Sequence, residues 1–189
     1  MQIEPENNIE KARNGDKEAF GLLVMEHQQY AFNLAFRILC NEDDARDIVQ
    51  ESFIKIWKNM KQFNPKMKFT TWMYKIVSNT AIDHLRSAKK IVKVNIDNFH
   101  EKLEQINNEH PESQLNNKET GELIRLISNT LSEKQKLVFV LRDLEGLKST
   151  EVSEILDLPE TSIKSNLYLA RKAIKEKLQE IFLYERAVK

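Results

Sequence analysis

The stretch Leu144–Ala173, LEGLKSTEVSEILDLPETSIKSNLYLARKA, reads as two short helices joined by a tight turn. A DNA-reading helix-turn-helix needs a small residue where its helices cross, a turn residue tolerant of a left-handed backbone, and an inward aliphatic in the second helix. Ser153, Asp157 and Ile163 fall at that spacing. Val152, Ile155, Leu156, Leu158 and Leu167 supply the apolar wedge, and Pro159 pre-sets the backbone at the entry of the second helix. Outward from that helix point Ser162, Lys164, Ser165, Asn166, Tyr168, Arg171 and Lys172, donors and cations suited to phosphates and to base edges in a major groove. A plain helical hairpin in a small bundle shows the same pattern, so the rest of the chain has to decide.

Working outward, the 189 residues hold only four glycines and four prolines. That scarcity, with abundant Leu, Ile, Lys and Glu, predicts an all-α chain of helices joined by short connections. Asp16 can cap a helix to about Leu39, with Phe20, Leu23, Val24, His27, Ala31, Leu34, Ala35 and Ile38 on one face. Asn41 can cap a second, with Glu42, Asp43 and Asp44 in its first turn and Ala45, Ile48, Val49, Ser52, Phe53, Ile56, Trp57 and Met60 inside. A loop through Pro65 leads to a third, with Phe69, Trp72, Met73, Ile76, Val77, Thr80, Ala81 and Leu85 inside. These three are expected to form a bundle by themselves. Periodicity fades over 95–120, which reads as a flexible acidic linker between domains 1–94 and 121–189. Ser132 and Gln135 then form a capping-box pair for a helix bearing Leu137, Val138, Val140, Leu141 and Leu144, and Gly146 can end it in a left-handed cap.

Net charge is zero, but its distribution is not even. From Lys61 to Asn95 eight basic residues oppose the single acid Asp83, and from Glu160 to Lys177 five oppose two. Between them, Asp97–Glu122 carries seven acids and two lysines. Two cationic surfaces separated by an acidic spacer fit a protein that touches DNA in two places. Phe63, Phe69, Trp72 and Tyr74 lie among Lys61, Lys66, Lys68 and Lys75, and Asn79, Asp83 and Arg86 continue a polar face. Rings beside cations can stack unpaired bases while the cations hold phosphates, although Phe69 and Trp72 sit on the packing stripe.

Other chemistry is weakly represented. Asp43, Asp44 and Asp47 spell a DDxxD pattern that could hold magnesium, but a second ligand cluster is missing, and acids on a helix N-terminal turn are the commoner arrangement. The same acids with Gln50 and Glu51 form a flank that could dock a basic partner. Cys40 stands alone as a packing residue, and the four histidines lack metal spacing. No active site, cofactor or metal is expected. Neither a membrane span nor a secretory signal is seen, and a cytoplasmic location is expected.

Together these residues resemble the extracytoplasmic-function (ECF) class of sigma-70 sigma factors of bacterial RNA polymerase. DARDIVQESFIKIW is similar to region 2.2, FTTWMYKIVSNTAIDHLRS to regions 2.3 and 2.4, and LSEKQKLVFVLRDLEGLKSTEVSEILDLPETSIKSNLYLARKAIKEKL to region 4. The resemblance implies promoter-specific transcription initiation without enzymatic activity of the factor's own. Asp44, Asp47, Gln50, Glu51, Ile54 and Lys55 match the surface that docks on the clamp coiled coil of the polymerase largest subunit, and the flap is a further implied contact. The loop from Phe63 through Lys66 to Lys68, with Asn79, Asp83 and Arg86, matches the part that opens the minus-ten element and captures a flipped base. Lys164, Ser165 and Tyr168, flanked by Asn166, Arg171 and Lys172, match the helix that reads the minus-thirty-five duplex. An anti-sigma factor is an implied regulator. Where the family often carries arginines this chain has Lys89, Lys90, Asn166 and Leu169, so base preference does not carry over. A stand-alone helix-turn-helix regulator and a helical magnesium-dependent enzyme are the alternative readings.

Overall fold

The computed structural model describes residues 5–91 and 130–187, and no strand occurs among them. The helices are α1 (Pro5–Arg13), α2 (Lys17–Leu39), α3 (Glu42–Asn59), α4 (Phe69–Ile91), α5 (Glu133–Phe139), α6 (Ser149–Leu156) and α7 (Glu160–Ala187). A single 3-10 turn, Met60–Gln62, follows α3, and a π-helical segment, Val140–Leu144, continues α5. The expected linker, 95–120, and the start of the expected second domain lie outside the described residues.

Helix starts follow from short polar side chains satisfying orphan N–H groups. The Asp16 carboxylate accepts from the Glu18 and Ala19 N–H groups at 2.9 and 3.0 Å, and Asn41 Oδ1 accepts from Asp44 at 3.1 Å. Ser132 and Gln135 form the reciprocal capping box. The stripes turn inward as their 3.6-residue period requires: Leu23, Ala31, Leu34, Ala35 and Ile38 from α2 meet Ala45, Ile48, Ser52 and Ile56 from α3 and Met73, Val77 and Ala81 from α4.

The N-terminal bundle has four helices rather than the expected three. PENNIEKAR offers few apolar residues, yet α1 packs on α2 with Ala12 and Asn8 buried and Ile9 half-buried. Leu144, expected inside, is 43% exposed. The π segment causes this: Glu145 N–H donates to Val140 O at 2.9 Å, an i→i+5 bond that widens the turn and swings Leu144 off the inner stripe. Gly146, at φ 71°, then closes the segment as expected.

Candidate nucleic-acid interface

The turn between α6 and α7 is built from the residues the spacing singled out. Asp157 adopts the left-handed conformation, φ 52°, and its N–H caps α6 on the Ser153 carbonyl. Ser153 Oγ donates to Leu158 O at 2.5 Å, so its smallness admits the crossing chain while its hydroxyl ties it down. The Pro159 carbonyl accepts from Ser162 and Ile163, starting α7. Ile163, Leu167 and Ala170, at i, i+4 and i+7, are buried against α5 and α6.

That inner stripe fixes what α7 presents. Lys164, Ser165, Tyr168, Arg171 and Lys172 are exposed, and Asn166 is half-buried. Several are tied within the protein. Asn166 Nδ2 donates to the Ser162 carbonyl at 2.8 Å, Ser165 Oγ donates to the same carbonyl at 3.1 Å, and Lys172 lies 3.8 Å from Glu176. Arg171 is gripped through two nitrogens by Asp143 at 2.7 and 2.8 Å, and that hydrogen-bonded carboxylate raises the guanidinium pKa further. Lys164 and Tyr168 are left as the projecting side chains best placed to meet an approaching surface, with Tyr168 68% exposed.

The second surface lies on α4 and the loop before it. Asn64 folds this loop by accepting from the Lys66 N–H at 3.0 Å, which holds Lys66 outward. Phe63 corrects an expectation: it is buried, with its ring centroid 5.9 Å from that of Phe69 and 5.1 Å from that of Trp72. An aromatic side chain in a lysine-rich loop looks exposed in sequence, but here it pins the loop to the core and is not presented to a base. Tyr74 is likewise buried. Asn79 and Asp83, with Lys55, Asn59, Gln62, Trp72, Ile76 and Thr80, line an open groove of about 540 Å³. Its mix of an indole, amides and a carboxylate suits a planar polar ligand.

The acidic flank forms as expected on α3. Asp47, Gln50 and Glu51 are exposed and Asp44 is partly so, with His84 Nε2 3.4 Å from the Asp44 carboxylate. Gln50 and Ile54 edge an apolar groove of about 540 Å³ between α2 and α3, walled by Phe20, Val24, Phe53 and Trp57. Lys55 sits where this flank borders the α4 groove: its ammonium lies 2.7 Å from Glu51 and donates to Thr80 Oγ at 3.2 Å. Among the described residues no three His, Cys, Asp or Glu side chains gather as a metal site would, so Asp43, Asp44 and Asp47 do not converge on an ion.

Sequence reasoning missed a set of contacts between the two groups of helices. Arg37 donates to Leu144 O at 2.5 Å and Glu145 Oε1 at 2.7 Å, and Tyr74 donates to Glu145 Oε2 at 3.3 Å. Lys75 meets Asp157 at 2.5 Å, Arg86 meets Glu133 at 2.7 Å, Lys68 lies 3.7 Å from Glu151, and Lys136 donates to Ile38 O at 3.4 Å. Burial, and then the charge of Glu145, pushes the Tyr74 phenol well above its usual pKa. Hydrogen bonding to Glu133 does the same for Arg86.

Comparison with known proteins adds to this geometry. The family model for sigma-70 region 2 matches residues 23–91, and that for sigma-70 region 4 matches 121–174. The chain is similar to the ECF RNA polymerase sigma-E factor of Haemophilus influenzae, 30% identical over 95% of this chain and 98% of that protein. It is also 30% identical to the sigma-E factor of Escherichia coli K12, over 92% of this chain and 93% of that protein. Among solved structures it resembles CnrH in complex with the cytosolic domain of CnrY, with TM-score 0.66 and 20% identity over 93% of this chain and 97% of that one. The sigma factor RpoE bound to the anti-sigma factor NepR from Bartonella quintana gives TM-score 0.63 and 20% identity over 85% and 96%. These two likenesses speak for the fold.

Proposed function

The chain belongs to the ECF sigma factors of the sigma-70 family, and on that premise we propose that it binds core RNA polymerase and directs initiation at promoters it reads in two places. Asp44, Asp47, Gln50 and Glu51 on α3, with Ile54 beside the α2–α3 groove, dock on a basic partner, the coiled coil of the polymerase clamp. Charge complementarity there steers association, and the apolar groove supplies contact area. A flap contact by the C-terminal domain completes the clamp on the enzyme.

At the minus-ten element, Lys66, Lys68 and Arg86 hold the non-template strand while Asn79 and Asp83 face an unstacked base in the α4 groove. An amide and a carboxylate side by side offer both a donor and acceptors to a base edge, and Trp72 offers a ring wall. An unpaired base can offer its edge to these groups whereas a paired base has that edge already engaged, so capture itself favours melting without hydrolysis. At the minus-thirty-five element, Lys164 and Tyr168, with Ser165 and Asn166 beside them, enter the major groove, while Arg171 and Lys172 meet phosphates. Each reader alone is weak, and joining them through polymerase raises effective concentration. The polymerase supplies nucleotidyl transfer, so the factor needs no catalytic residue, and its place of work is the cytoplasm. The solved structure of the sigma factor RpoE bound to the anti-sigma factor NepR supports the expectation that this chain too is held by a protein inhibitor.

The observation that carries this reading is the presence, in one chain, of an exposed acidic flank, a polar α4 groove and a helix-turn-helix, in the order of regions 2 and 4. An electrophoretic shift with promoter DNA in the presence and absence of core polymerase tests it. Binding that requires core supports it, and equal duplex binding without core points to a stand-alone regulator.

A further inference from the structure

The π-helical segment Val140–Leu144 reaches both halves of the helix-turn-helix through charged side chains. Arg142 Nη1 donates to the Leu147 carbonyl, in the chain that enters α6, and Asp143 grips Arg171 on α7. Short π segments recur where a local bend serves a function. The form of the second grip is specific. Asp143 Oδ2 accepts from Arg171 Nε at 2.8 Å and Oδ1 accepts from Nη2 at 2.7 Å, so the carboxylate takes the side edge of the guanidinium. Two of the five N–H groups are engaged there. The other three, two on Nη1 and one on Nη2, make up the end edge, which is a fork for a second pair of oxygens. Lys164, Tyr168 and Arg171 follow at i, i+4 and i+7, within about 60° of arc and about 10 Å along α7. Each stands one residue after Ile163, Leu167 or Ala170, so this line lies about 100° round the helix from the buried one. From that flank a long side chain meets both the neighbouring helices and an approaching duplex. The exposures agree: the Asp143 side chain is 21% exposed and that of Arg171 60%.

From this geometry we infer that Asp143 is a positioning residue for duplex reading: it aims the end edge of Arg171 at one phosphate and so fixes the register in which Lys164 and Tyr168 meet base edges. The inference rests on the reading of α7 given above and deepens it by naming what orients its phosphate contact. An arginine free to swing among its rotamers settles on whichever phosphate is near. Held by a carboxylate along its side edge, the same group is already ordered in the folded protein and offers its fork in one direction. The carboxylate also offsets much of its charge, so the contact gives direction without the sequence-independent attraction of a bare cation for any DNA. The result is weaker general affinity and sharper discrimination.

The test uses the full chain assembled with core polymerase and two labelled duplexes: a promoter fragment that this assembly selects in transcript-start mapping, and the same fragment with its upstream element scrambled. Asp143→Asn keeps the side-chain size and removes the charge that holds Arg171. Binding to the scrambled duplex should tighten about threefold, with a logarithmic salt slope steeper by about one, because a full cation is released to the phosphates. The ratio of affinities for the two duplexes should fall about tenfold as the register loosens. A pair that only braced the fold would give the reverse, equal weakening on both duplexes with the slope unchanged, and that result overturns the inference, as does an unchanged ratio. Arg171→Lys is the second variant. An ammonium keeps an ion pair with Asp143 but has no second edge, so the ratio should fall with the salt slope left near that of the parent. Retention of the parental ratio overturns the inference, and this variant decides alone should Asp143→Asn fail to fold. If the parent distinguishes the two duplexes but the variants behave otherwise than expected, only the role of Asp143 is lost. If the parent selects no promoter, or binds both duplexes equally, the reading of α7 itself is lost.

Discussion

Replacing Asp47 and Glu51 together by lysine separates docking from folding, because both side chains are exposed one turn apart on α3. The cost to the fold is small. Glu51 pairs with Lys55 at 2.7 Å in an i,i+4 bridge, worth about 0.3–0.5 kcal/mol, and reversal makes it a like-charge pair of similar penalty. Two lysines also serve well enough inside a helix. The fold should therefore lose at most about 1 kcal/mol. At a basic partner surface the effect is larger, since each reversal turns attraction into repulsion, and a unit pair at 4 Å is worth about 1–4 kcal/mol between water and a protein surface. A total loss of about 3 kcal/mol or more, over a hundredfold in affinity, is expected. Titration of labelled protein with core polymerase measures binding, and circular dichroism on the same sample measures helix content and melting. Unchanged core affinity would refute the assignment of this flank, and so would a loss of helix that accounts for the loss of binding.

Three other outcomes follow from the same structure. Ile163→Ala empties a fully buried site between α7 and its neighbours and should cost about 2–4 kcal/mol, whereas Leu169→Ala, 46% exposed on the same helix, should stay within about 0.5 kcal/mol; chemical denaturation compares them. Lys164→Ala should weaken binding of minus-thirty-five duplex by the polymerase-bound factor by about 1–3 kcal/mol if it reads a base, and a salt slope reduced by about one without loss of sequence preference would assign it to phosphate instead. His27 has a pKa lowered by burial, despite the opposing charge of Glu26. The unfolded chain therefore binds its proton first, so stability is full above about pH 6.5 and falls as pH drops through and below that value. His27→Gln should flatten this part of the stability profile, and an unchanged slope would show that another group titrates there.

The parts of the fold legible in sequence are those fixed by local chemistry. Asp16, Asn41 and Ser132 announce their helices because a short oxygen-bearing side chain before an apolar period satisfies N–H groups within four residues. Asp157 and Gly146 were readable because few residues tolerate a left-handed backbone. Tertiary effects were not readable. Phe63 carries the same local signature whether its ring meets Trp72 or solvent, and α1 is held by α2 rather than by its own weak stripe. The π segment depends on i→i+5 bonding, as from the Glu145 N–H to the Val140 carbonyl, that no periodicity marks. Lys75 and Arg86 lie on one line with Lys68, which the 7 and 11 spacing could have revealed, but their acidic partners are 47 to 83 residues distant and follow no period.

The central claim, that this chain lends promoter choice to a polymerase, is met most directly by transcription in vitro with purified core enzyme on a library of genomic fragments, followed by mapping of transcript starts. Added protein should concentrate starts at a small set of sites that share two spaced sequence elements, and Asp47→Lys with Glu51→Lys should abolish that selection. Starts distributed as they are with core enzyme alone would contradict the account.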